Sequence, residues 1–92
     1  MKKSYKVSPA IAWQSYDCID LLIILNRENR EFYFFQESGR VIVDYILSGK
    51  SIDQILEMCL QQFDATEKYM LESIERFFLL LQQEGIVYER NE

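Results

Sequence analysis

The side chains that ordinarily carry chemistry are sparse in this chain of 92 residues. It has no histidine, which removes the usual general base, and its two cysteines, Cys18 and Cys59, stand far from any zinc-ligand spacing. Both thiols read as plain small side chains, Cys59 in a helix core and Cys18 near a turn. Ser38, Ser48, Ser51 and Ser73 have no base to activate them. Glu67, Glu72, Glu75 and Glu84 recur as a solvated helix face, with nothing pairing two of them as acid and base. No Gly-rich phosphate loop is present, and neither a metal nor a cofactor is called for. These residues do not describe an enzyme.

What remains is the chemistry of the main chain. Residues 20–36, DLLIILNRENREFYFFQ, read as a β-hairpin, two apolar runs about a short polar loop. Its second arm is aromatic at Phe32, Tyr33, Phe34 and Phe35, so both faces of that strand are apolar. One face should meet the core; the other needs a partner, because an antiparallel strand over a one-sided core alternates apolar with polar. Everything after Gln36 patterns as helix, which makes this arm the last strand before the helices and an edge of its sheet. A strand edge carries unpaired N–H and C=O groups that can accept an extended peptide.

The remaining elements must position that edge. Residues 1–10 read as a polar leader broken by Pro9. Ile11-Ala12-Trp13-Gln14 suits a first strand, Ser15-Tyr16-Asp17-Cys18 a turn, and residues 21–25 a central strand. In the loop of residues 26–30, two asparagines are the candidates for positive φ, with Arg30 where a glycine would ordinarily follow. Val41, Ile42, Tyr45 and Ile46 mark a helix over residues 37–47, and Gly39 near its start suggests a close approach. Ser51-Ile52-Asp53-Gln54 is a capping box opening a second helix, with Ile55, Leu56, Cys59, Leu60 and Phe63 on its stripe. Thr66 opens a third helix that runs to Glu84 before Gly85.

On that third helix Met70, Leu71, Ile74, Phe77, Phe78 and Leu81 fall within one arc of roughly 120° and form its core face. Tyr69, Ser73 and Leu80 sit on a shoulder that suits a groove wall, while Leu79 points to the charged face. Ile86-Val87-Tyr88 either returns as a strand or simply covers the core. Trp13, Tyr45, Phe77 and Phe78 are expected in the core. Phe32 and Phe34 stand open between core and pocket, and with Tyr69 and Leu80 they are the candidates for a peptide pocket.

The reading is a single α+β domain over residues 1–92, with an ordered core of about residues 7–88. It is a small winged helix-turn-helix-like fold with a three-stranded antiparallel sheet followed by three helices, β-β-β-α-α-α. The net charge of −5 argues against nucleic acid, whose affinity comes mostly from Lys and Arg on phosphates. The alternative, a winged-helix DNA-binding module, wants a basic recognition helix, whereas the second and third helices are acidic overall. A further alternative is a homodimer through the aromatic edge. Met1-Lys2-Lys3 could open a signal peptide, but residues 4–10 lack its apolar core. The runs LLIIL and FFLLL fall far short of the ~20 residues of a membrane span, so a soluble, cytoplasmic protein is expected.

The order VSPAIAW, LLIILNRENREFYFFQESGRVIVDYI, SGKSIDQI and IERFFLLLQQEGIVY resembles the PqqD-like proteins, the RiPP recognition elements, over about residues 7–88. The resemblance implies a small winged-helix-like domain that binds the leader of a ribosomally made precursor peptide. The leader would lie as an added strand on the third strand, walled by the third helix. Its cargo would pass to a radical SAM protein in PqqD-type systems or to a leader peptidase in lasso-peptide systems. The peptide-binding residues on that docking mode are Glu31, Phe32, Tyr33, Phe34 and Phe35 with Tyr69, Ser73, Ile74, Phe77 and Leu80. Three positions depart from the family's pattern. Gln36 replaces the Asn that commonly starts the first helix, Ser73 a common acidic residue, and Arg30 a frequent turn glycine.

Overall fold

The computed structural model describes residues 4–90. Met1-Lys2-Lys3, on which the signal-peptide question turns, lies outside the described residues, as do Asn91 and Glu92. The elements run β1 Ser4–Val7, β2 Ile11–Tyr16, a 3-10 turn Asp17–Ile19, β3 Leu21–Asn26, β4 Glu31–Phe35, α1 Glu37–Leu47, α2 Ile52–Gln62, α3 Glu67–Gln83 and β5 Val87–Arg90. The expected three-stranded antiparallel sheet is β2-β3-β4, with β3 central, and the three helices follow it as expected. No helix among the described residues is long and apolar enough to cross a membrane.

Two expectations are corrected. Residues 1–10 are not merely a polar leader, because β1 pairs antiparallel with β5 in a separate two-stranded ribbon, Val7 opposite Val87 and Ser4 opposite Arg90. The residue of positive φ in the β3–β4 loop is Arg30, at 59°, and neither asparagine. The Asn26 and Asn29 side chains instead accept from the N–H groups of Glu28 and Glu31, closing the loop as Asx turns.

The core forms because each element's period turns one apolar set inward. β3 alternates with a period of two, sending Leu22, Ile24 and Asn26 inward, where they meet Ile42, Val43 and Ile46 of α1 and Ile74, Phe78 and Leu81 of α3. Buried Asn26 is satisfied, donating from Nδ2 to the Glu84 carbonyl at 3.2 Å while its Oδ1 serves the loop. The capping box of α2 is present in both directions between Ser51 and Gln54. α3 ends at Gly85, φ 73°, where Ile86 N–H reaches Leu81 O and Gly85 N–H reaches Gln82 O. This Schellman closure turns Ile86 and Val87 back into the core.

β1 is held from the side. The Tyr5 ring meets Phe78 edge-on with centroids 4.9 Å apart, and its hydroxyl shares one proton between the main-chain carbonyls of Ile46 and Lys50 at the end of α1. Burial pushes its phenol up to about 12.

Candidate functional site

β4 is an edge. It pairs with β3 alone, and among the described residues no main-chain hydrogen bond joins it to any other segment. In an antiparallel pair every second residue sends both its N–H and its C=O away from the partner, so this border offers about four unpaired main-chain groups. Alternation divides the side chains. Tyr33 and Phe35 turn inward and are half-buried, while Glu31, Phe32 and Phe34 are exposed.

The inward pair faces α3. The Phe35 ring meets that of Phe77 edge-on at 6.1 Å, and the Tyr33 hydroxyl donates to Glu84 Oε1 at 2.8 Å. α3 therefore runs beside β4 with its C-terminal half nearest the border. Next to Phe77, the side chains of Arg76, Leu79, Leu80 and Gln83 line a shallow depression of ≈ 310 Å³. Phe77 joins the two features: its ring meets Phe35 of β4 on one side and lines the α3 depression with Leu80 on the other, and the β4 border with this depression is the candidate groove.

Local sequence holds this geometry in place. Gly39 lets α1 approach so closely that a Cβ there would stand 3.0 Å from Phe77 Cζ, which fixes where that ring sits. At the β4–α1 junction Glu37 takes φ 57°, a left-handed conformation costing about 1 kcal/mol or more for a residue with a Cβ. Its N–H donates to Asp20 Oδ2 at 2.9 Å, and Arg40 ties Asp20 at 2.6 Å and Asp17 at 2.8 Å. The Arg40 guanidinium, with the Glu37 N–H, holds the Asp20 carboxyl below the usual carboxylate range. At the other end, Tyr33 is a polar hub between Asn29, Glu31 and Glu84. Desolvation raises its phenol, and the Glu84 and Glu31 carboxylates raise it further against the opposing Asn29 donor.

The expected site residues are divided by this geometry. Phe32 and Phe34 lie on the outer face of the sheet and do not share a pocket with Leu80 and Tyr69, because odd and even positions of a strand point to opposite sides. Ile74 is fully buried and Ser73 nearly so, so Ile74 belongs to the core and not to a contacting surface. Tyr69 is 61% exposed but lies two helical turns beyond Phe77, about 12 Å along the axis. Glu84, read as solvated, is half-buried and accepts from the Tyr33 hydroxyl beneath the β4 border. Its place seven positions after Phe77, on the same helical stripe, was the signal for it. Leu79 is exposed as expected, and lines both the depression beside Phe77 and a second one, bounded by Ile52, Glu75, Phe78, Gln82 and Glu89, on the far side of α3.

The family model described as coenzyme PQQ synthesis protein D, PqqD, matches residues 22–87, from the second residue of β3 to the first of β5. The chain belongs to the PqqD family. No curated protein matches it significantly. Among solved structures, this PqqD-family chain is similar to TbiB1 in complex with the TbiA(beta) leader peptide, with a TM-score of 0.83 at 15% identity over 95% of this chain and 99% of that one. It is also similar to lasso peptide synthetase B1 complexed with the leader peptide, with a TM-score of 0.79 at 15% identity over 92% and 98%. At such identities the likeness is one of fold.

Proposed function

We propose that this PqqD-family chain is a non-catalytic recognition module for the leader of a ribosomally synthesised precursor peptide. The leader adds as a strand to β4, packs against α3, and is delivered in the cytoplasm to a modifying enzyme or a leader peptidase. The observation that carries this reading is the unpaired β4 border, joined through the Phe35–Phe77 contact to the Leu80 depression of α3, in a fold whose solved likenesses hold leader peptides. Energetics require both parts. Four main-chain hydrogen bonds at ~0.5–1.5 kcal/mol each fall short of the roughly −8 kcal/mol of a micromolar complex after ordering costs. Two apolar anchors in the groove, at about 1.5–3 kcal/mol each, make up the difference.

The test is a titration of the full chain with the labelled leader of a precursor encoded beside it, and separately with duplex DNA. Saturable binding of the leader alone is expected, with Leu80→Asp weakening it about tenfold or more while the far-UV spectrum is unchanged. Binding to DNA and not to the leader would overturn the proposal.

A further inference from the structure

The outer face of the β2-β3-β4 sheet is apolar where a solvent-facing sheet is ordinarily polar. Register sets its rows: Ala12, Leu25 and Phe32 form one and Gln14, Ile23 and Phe34 the next, both ending at the β4 border. Phe32 and Phe34 are 58% and 62% exposed, and their rings stack 6.5 Å apart at 19°. That separation is close to the ~6.8 Å repeat of two strand residues, so the rings stand up from the sheet as parallel plates. Such a border is an aggregation liability that charge or proline usually blunts, yet Glu31 is the one charged residue of β4.

We propose that the bound peptide is read on both faces at once, Phe32 and Phe34 selecting apolar side chains at the positions that point away from the helices. This rests on the strand-addition reading above and specifies its ligand. A strand added to β4 lies about 4.8 Å away with opposed Cβ atoms ~5 Å apart. Peptide positions of one parity then turn toward the α3 depression lined by Phe77 and Leu80. Those of the other parity extend the two outer rows beyond Phe32 and Phe34. The ligand is therefore an extended segment of four or five residues, apolar at successive positions and not merely at alternate ones. A peptide apolar on one side only would leave both rings against water. A second copy of the chain is a poorer occupant, because three strands ~17 Å long at ~4.8 Å spacing present a few hundred Å², against about 800 Å² per partner in a stable dimer.

A displayed library of random dodecapeptides selected on the full chain, on Phe32→Ser/Phe34→Ser and on Leu80→Ser tests this. The wild-type protein should enrich segments apolar at both parities. The double variant should lose the preference at one parity and Leu80→Ser at the other. A synthetic peptide of the wild-type consensus should bind the double variant roughly tenfold more weakly, with unchanged thermal melting as the check on folding. If the consensus is apolar at one parity only, or survives the double substitution, two-faced reading is overturned while leader recognition stands. If the wild-type protein enriches nothing, both fail. A wild-type dimer in sedimentation that the double substitution dissolves would assign the face to a second copy and overturn the proposal.

Discussion

Gly39 shows how one residue connects the core to the groove. Its missing Cβ leaves room for Phe77, whose ring in turn meets Phe35 at the border. Gly39→Ala should push that ring by a few tenths of an ångström, costing about 1–2 kcal/mol in urea unfolding and weakening peptide binding together with stability. A loss of stability with unchanged binding would show that the ring's position does not shape the groove. Asp20 permits a second test. Its folded carboxyl titrates below its unfolded value, so its stabilising contribution is complete above about pH 4 and drains away as pH falls through the lower folded value. Asp20→Asn should therefore flatten the acid limb of a melting-temperature profile, and an unchanged limb would remove Asp20 from acid unfolding.

The elements differ in how much of themselves the sequence discloses. α2 and α3 were legible because caps and periods agree: Ser51 with Gln54, Thr66, and Gly85 all sit where their types are needed, whereas α1 was legible from its period alone, Gln36 making no side-chain cap. The β4 edge was legible because four aromatics in succession have no one-sided explanation, but the parity that put Phe35 inward and Phe34 outward was not. Both phases are equally apolar, and only the contacts with Phe77 and Glu84 decide between them. β1 was missed because four residues, SYKV, have no period of their own and form a strand through a partner at the other end of the chain, Val7 opposite Val87. Tyr5 was its anchor. With a folded phenol at about 12 against ~10 unfolded, its contribution is complete below pH ~10 and is lost as pH rises through about 12. Tyr5→Phe should remove that alkaline slope in thermal melts and cost about 1 kcal/mol at neutral pH.

Over the whole molecule, the acidic balance of −5 sets the kind of affinity to expect. Recognition through main-chain hydrogen bonds and buried rings is nearly blind to salt, whereas phosphate binding loses about 10³-fold or more between 50 and 200 mM. Leader affinity should change by less than about threefold over that range; a steep fall would point to charge pairing as the source of binding. A last consequence concerns the ribbon of β1 and β5. The described chain enters at Ser4 and leaves at Arg90, directly opposite one another. A unit whose two ends emerge side by side can be spliced into a surface loop of a host protein through two short linkers. The aromatic border would travel with it as a transplantable cassette.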